Sequence, residues 1–466
     1  MPDYRRRATK EAMSLRFDFH GVLLGEGGAE ARLVAEINEL QNRLGSAHEE
    51  LSARRRAGEL PFLDWVHDRE GLALVKDLAE EVRQYAKTLV VVGAGGTALA
   101  AQTLVRAAPP GSVRVLFADS IDPDLLGPLL DQLDLTTTVF NVISKSGETP
   151  ETLAQFLVIR DLLLRHLGGV DYTRHLVVTT DADQGALRQI VHDEGFRSVP
   201  IPPGVSDRFA ALSPASFFPA AVAGIRVDEV IAGAVWMDTR CQDPDVWHNP
   251  ALLLAASLYL AHTGHALQHV LFLPFCRQLE PLAQWSSELL VEAVQKSRGN
   301  SSVYPPVTWF PHSQRAADPY LMAQLLLERP NDTVAILLSA ADHGRELSIA
   351  AAYQDLEAVG YLGSKGLGQM LEQSERALEA LLRRHGRWHI LARWPAVNPF
   401  TLGQWVHALE VTTLYLAHLF QVELWAQPAA DACRRLLYGA LGRKGFEAQG
   451  DEVASLVAVR RKEWVL

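Results

Sequence analysis

The chain has 466 residues, of which 48% are hydrophobic and 21% charged. That is a globular composition and too long for one ordinary core, so two domains of roughly 150–200 residues are expected. Acid outweighs base, 55 Asp and Glu against 44 Lys and Arg, which excludes general affinity for nucleic acid or anionic membranes but allows a local basic pocket.

Cys241, Cys276 and Cys433 are odd in number and far apart. They form neither a disulfide framework nor a metal-ligand spacing, and they suit a reducing cytoplasm. The basic start "MPDYRRRATKEAMSLRF" leads into no apolar core and is read as no secretory signal. The longest apolar run, "ALLLAASLYLA" from Ala251, is too short to cross a bilayer.

In chain order, residues 27–57 are helical in pattern, and "EGLALVKDLAEEVRQYA" predicts another helix. Short apolar runs then alternate with amphipathic segments. "TLVVVGAGGTALAAQTLVRAA" reads as strand, glycine-rich turn and helix, "VRVLFADS" as a strand, and "TTVFNVIS" as a strand before the helix "PETLAQFLVIRDLLLRHL". "HLVVTT" and "RSVPIP" are further strands, followed by a helical stretch over about 211–268. The rhythm returns with the strand "HVLFLPF", the helices "LAQWSSELLVEAVQKS" and "YLMAQLLLE", the strands "DTVAILLSA" and "GRWHILARWP", and a long helix from Leu402. Such alternation predicts α/β domains with parallel sheets, whose sites lie at the C-terminal strand ends.

Three segments carry chemistry. "GAGGT", from Gly93 to Thr97, follows a strand as a nucleotide loop does. It lacks the third glycine of the dinucleotide fingerprint and reads equally as a tight strand-to-helix turn. "SKSGETPET" crowds Ser144, Ser146, Thr149 and Thr152 around Lys145 and Gly147. A capping box explains one or two of those hydroxyls; a phosphate held by hydroxyls and amides explains all four. Glu148 opposes that reading unless it points away. "WSSELLVEAVQKS" places Glu288, Glu292 and Lys296 on one helical stripe, which is either a solvated face with an ion pair or, facing a cleft, a source of a raised-pKa base. Arg208 in "SDRFAALSP" and His312 in "WFPHSQ" read by themselves as ordinary loop residues.

Taken together, residues from about 60 to 445 resemble the glucose-6-phosphate isomerase family. The family's "GIGGS" is similar to "GAGGT", its "ISKSGTTTET" to "ISKSGETPET", and its "GGRFSxLSxxGLLPAA" to "SDRFAALSPASFFPAA". Its "WxxQLxAESxGK" looks like "WSSELLVEAVQK", and its "NPFDQPGVExxK" resembles "ELWAQPAADACR". The resemblance implies two sugar-isomerase-type (SIS) α/β domains, each a parallel sheet flanked by helices, with a C-terminal helix. The expected divisions are an N-terminal helical segment over 1–60, a first α/β domain over 61–230, a second with its helical linker over 231–425, and a C-terminal helical segment over 426–466. It also implies a cytoplasmic homodimer whose site is completed by the second subunit, a hexose 6-phosphate substrate, and no metal or other cofactor.

Carried residue by residue, the resemblance makes Glu292 the proton-transferring base and Arg208 the cation facing the enediolate. Gly95, Gly96, Thr97, Ser144, Lys145, Ser146, Thr149 and Thr152 become phosphate contacts, and Glu288 and Gln427 substrate contacts. Arg434 stands where the family has a catalytic lysine and keeps the charge without the easy proton transfer. The ring-opening histidine falls on His312 counting forward from Lys296, and on Tyr320 counting backward from "AQLLLERPND". Glu148, Asp207 and Glu288 also depart from the family pattern. Two readings therefore stand: an isomerase interconverting glucose 6-phosphate and fructose 6-phosphate, and a catalytically impaired sugar-phosphate-binding or regulatory protein on the same fold.

Overall fold

The apolar runs at 88–92, 138–144 and 176–181 are buried along almost their whole length, as strands covered on both faces must be. The structure is a computed structural model that describes residues 3–24, 32–107, 111–169, 171–295 and 318–459. The chain divides into two compact units, Met1–Val422 and Glu423–Leu466.

The first unit holds strands β1 (Arg16–Asp18), β2 (Thr88–Val92), β3 (Arg114–Ala118), β4 (Thr138–Ser144), β5 (Leu176–Asp181), β6 (Arg197–Ile201), β7 (His269–Pro274), β8 (Thr333–Asp342) and β9 (His389–Ala396). One sheet has the order β3-β2-β4-β5-β6 and is wholly parallel. The chain steps from β2 out to β3, then returns past β2 to β4. The direction of winding therefore reverses between β2 and β4, which opens a crevice at their C-terminal ends. The glycine-rich turn follows β2 and the hydroxyl-rich loop follows β4, so both sequence motifs lie at that switch point.

The second sheet has the order β1-β9-β8-β7. Its three later strands are parallel, and β1 adds antiparallel at the edge, pairing Phe17 with Ala392. The patterning does not announce β1, because three residues are too few to show a period. Side chains from elsewhere secure its entry instead: Gln404 accepts the Leu15 amide at 2.9 Å, and Arg240 donates to the Leu15 carbonyl at 2.9 Å.

Each sheet has its own packed core. Phe140, Phe156 and Ile159 are fully buried in the first, and Leu337, Leu382 and Leu391 in the second. The long helix Pro399–Phe420 is buried on nearly every side, so its apolar residues are spread round it rather than gathered on one face, with Gln404, His407 and Glu410 buried among them. It starts with a capping box in which Asn398 accepts the Thr401 amide, and Thr401 accepts the Asn398 amide. No helix among the described residues is long and apolar enough to cross a membrane.

The second unit is a hairpin of helices Pro428–Ala440 and Glu447–Ala458. Their backbones meet at Gly439 and Gly450; a Cβ on Gly439 would come within 2.3 Å of the Gly450 nitrogen. Only glycine permits that approach.

Candidate active site

Two helix starts lie side by side at the switch point. Gly96–Ala107 begins after β2 and Pro150–Leu167 begins after β4, so their exposed amides and positive dipole ends favour an anion there. Thr152, itself buried, links the two turns by accepting the Ala94 amide at 3.3 Å. Gly147 has φ of +65°, which permits the turn itself.

The hydroxyls of this loop are not spent on helix capping. Thr149 occupies the cap position of the Pro150–Leu167 helix without making a side-chain capping bond. Its Oγ1 lies 3.0 Å from Ser144 Oγ, which also accepts the Gly147 amide at 3.2 Å. Ser146 Oγ accepts the Glu148 amide at 3.2 Å. Ser146 and one of the Ser144–Thr149 pair therefore keep a proton to donate elsewhere, the other member of the pair donating across it.

Lys145 is engaged differently. Its ammonium donates to Asp181 Oδ2 at 2.6 Å and to the Pro202 carbonyl at 3.2 Å. Burial pushes the Asp181 carboxyl up, but the Lys145 bond and the Asp183 and Gln184 amides outweigh it and hold it below the usual range.

The glycine-rich turn leads directly to Arg208. A Cβ on Gly96 would stand 3.6 Å from the Asp207 carbonyl oxygen and 3.8 Å from the Arg208 Cα. Arg208 is buried, with 6% exposure, in the short 3-10 turn Asp207–Phe209. Its Nη1 donates to the Glu292 carbonyl at 3.2 Å, and its Nε lies 3.8 Å from Glu292 Oε2. Glu292 sits in the last turn of the helix Glu280–Val294, where carbonyls lack intrahelical partners. One guanidinium thus caps the helix and faces the carboxylate it carries.

That helix is fixed from two sides. Thr103 Oγ1, on the helix that starts at Gly96, shares its proton between the Leu99 carbonyl of its own helix at 2.9 Å and the Pro281 carbonyl at 3.4 Å. Trp405 Nε1 donates to the buried Ser286 Oγ at 3.0 Å. Glu288, one turn before Glu292, accepts from Gln284 Nε2 at 3.1 Å. Glu288 and Glu292 are therefore on a packed helix whose Glu292 meets a buried arginine.

A model of the phosphoglucose isomerase family matches residues 76–304. The glucose-6-phosphate isomerase of Rubrobacter xylanophilus is 34% identical over 444 residues, covering 93% of this chain and 99% of that one. The chain belongs to the glucose-6-phosphate isomerase family. The Carboxydothermus hydrogenoformans glucose-6-phosphate isomerase is 30% identical over 455 residues, 95% of this chain and 97% of its own. The crystal structure of a hypothetical protein from Thermus thermophilus superposes with a TM-score of 0.83 at 29% identity, over 92% of this chain and 100% of that one. A Chlamydia trachomatis glucose-6-phosphate isomerase shares the fold at a TM-score of 0.71 and 16% identity, over 84% and 77% of the two chains.

Among the residues a glucose-6-phosphate isomerase resemblance singles out, the structure brings together Gly95, Gly96, Ser144, Ser146, Thr149, Thr152, Arg208, Glu288 and Glu292 through the turns and contacts above. His312 and Lys296 lie outside the described residues, as does the Thr97 side chain. Tyr320 starts the helix Pro319–Leu327 and is 85% exposed. It lines a groove of about 410 Å³ with Tyr361 and Met370, none of which borders the Arg208–Glu292 pair in the contacts described. Gln427 and Arg434 belong to the second unit: Gln427 precedes its first helix, and Arg434 pairs with Asp431 at 2.9 Å. Asp181 carries no motif, and the signal that finds it is the register of β5 against β4.

Proposed function

We propose that this chain interconverts glucose 6-phosphate and fructose 6-phosphate through an enediolate. The observation that carries the reading is the contact of Arg208 with Glu292 directly beside the glycine-rich turn. In the forward direction Glu292 removes the C2 proton of the open-chain aldose as electrons move toward the C1 oxygen. It returns the proton to C1, and the O2 hydroxyl proton passes to O1, to give the ketose. Arg208, already desolvated, stabilises the charge that grows on oxygen during this transfer.

The loop of Ser144, Ser146 and Thr149, with the Gly95 and Gly96 amides, holds the phosphate. Binding at that remote group positions the reacting carbons. Glu288 and Gln427 are assigned to substrate hydroxyls, Arg434 to the position of the family lysine, and ring opening to His312. No metal or nucleotide enters this chemistry.

We also assign a cytoplasmic homodimer that completes the site. The segment after β8 supports this: it is ordered by a bridge between Ser348 and Gly366, yet exposes Leu347, Tyr353, Leu356 and Tyr361. Exposed apolar side chains on a hydrogen-bonded arm fit coverage by a second copy.

The test is a coupled assay of glucose 6-phosphate formation from fructose 6-phosphate, with size-exclusion chromatography on the same sample. Steady turnover that follows fructose 6-phosphate concentration is expected. Absence of turnover at high protein concentration, with phosphate-ester binding retained, would replace catalysis by a binding role.

A further inference from the structure

We infer that Asp181 is a positioning residue for the phosphate loop, acting through Lys145; the inference rests on the phosphate assignment proposed above. In the parallel register Ser144 pairs with Thr180, so the next residues, Lys145 and Asp181, are neighbours where the two strands end. Side chains at matched positions of parallel strands point the same way, which places the ammonium against the carboxylate. The ladder continues one step into the loop, with the Asp181 amide donating to the Lys145 carbonyl at 3.2 Å.

Asp181 is built as a hub. Its Oδ1 accepts the Asp183 and Gln184 amides at 3.0 and 3.2 Å, its Oδ2 takes Lys145, and its carbonyl accepts Arg188 Nε at 2.8 Å. The segment it organises then touches the phosphate loop directly. The Leu187 amide donates to the Gly147 carbonyl at 3.3 Å, and a Cβ on Gly185 would lie 2.2 Å from the Ser146 carbonyl oxygen. With both partners mostly shielded, at 19% and 21% side-chain exposure, the pair is screened less than a surface ion pair.

Two consequences follow for the anion. Lys145 is drawn to the β5 side, so the phosphate is met by hydroxyls and amides rather than by a mobile ammonium. Those donors also hold their spacing only while the loop is lashed to β5. A tetrahedral anion recognised by several fixed neutral donors is sensitive to such spacing.

The experiment uses the full chain and the variants Asp181→Asn, Lys145→Met and the double variant, with Asp181→Glu as a charge-retaining control. KM and kcat for fructose 6-phosphate are measured alongside calorimetric binding of inorganic phosphate. Each single variant should raise KM and the phosphate Kd about five- to tenfold with kcat changed less than twofold. The double variant should be no worse than either single, since both remove one pair. Asp181→Glu should recover most of the loss.

Multiplying effects in the double variant, tighter phosphate binding in Asp181→Asn, or a loss confined to kcat would each overturn the inference while leaving the isomerase reading intact. A wild-type chain that neither turns over nor binds phosphate overturns both.

Discussion

Arg208 Nη1 hydrogen-bonds the main-chain carbonyl of Glu292 at 3.2 Å while its Nε faces the carboxylate of the same residue at 3.8 Å. The two contacts do different things. The first fixes where the helix Glu280–Val294 ends. The second sets a buried positive charge beside the side chain assigned to move the proton. At 3.8 Å the two charges face each other at more than the spacing of a close, charge-assisted hydrogen bond.

Replacing Glu292 with Gln should therefore remove turnover and little else. The expected fall in kcat is about 10²–10⁴-fold, the usual worth of a positioned base. Glu292 is half-buried, and its carbonyl contact to Arg208 does not depend on the side chain. The measurement is steady-state kinetics beside a melting curve, and a variant that unfolds instead would assign Glu292 a structural role.

Arg208→Lys tests the double contact. One ammonium supplies the charge but cannot span carbonyl and carboxylate as the planar guanidinium does. The fall in kcat should reach about 10²–10³-fold, with stability reduced by about 1.5–3 kcal/mol for the lost charged hydrogen bond. Denaturant titration and kinetics together check this; a lysine variant with normal kcat would show that geometry at this position does not matter.

The two glycines of the proposed anion site should separate in stability. Gly147→Ala puts a Cβ at φ +65°, 3.0 Å from the Leu187 nitrogen, and should cost about 1–2 kcal/mol from the backbone alone. Gly96→Ala meets its nearest neighbour at 3.6 Å, an ordinary contact, and should keep the wild-type melting temperature while raising KM. Equal melting temperatures for the two variants would contradict the described turn.

Two buried carboxyls give opposite pH signatures. Burial alone would raise Asp238, but the hydrogen bonds from His407 and Arg55 hold it far below the usual range. Its contribution is therefore complete above the unfolded value of about 4 and is lost as pH falls through the folded one. Asp238→Asn should cost about 1.5–3 kcal/mol at neutral pH for the lost charged hydrogen bonds, with Arg55 still paired to Asp64 at 2.7 Å. Glu410 is fully buried, neither oxygen has a hydrogen-bond partner among the described residues, and burial pushes its carboxyl well up. Stability should fall as pH rises above the unfolded value of about 4.3, where only the unfolded chain gives up the proton. Glu410→Gln should flatten that limb by on the order of 1 kcal/mol or more at neutral pH. Urea titrations from acid to neutral pH distinguish the two; parallel pH profiles for wild type and Glu410→Gln would refute the Glu410 assignment.

The sequence by itself determined the alternation of strands and helices, the two motif turns and the family, because apolar runs and glycine or hydroxyl clusters are local signals whose periods survive without a partner. Tertiary structure alone decided what those residues meet. Glu292 looks identical on a solvated stripe and on a packed helix until Arg208, 84 positions away, arrives at its carbonyl. The motif around Lys145 does not announce Asp181, which the strand register sets beside it. The short edge strand β1 exists because β9 and the side chains of Gln404 and Arg240 receive it. Pairing energies depend on which distant groups share a desolvated site, and chain proximity does not encode that.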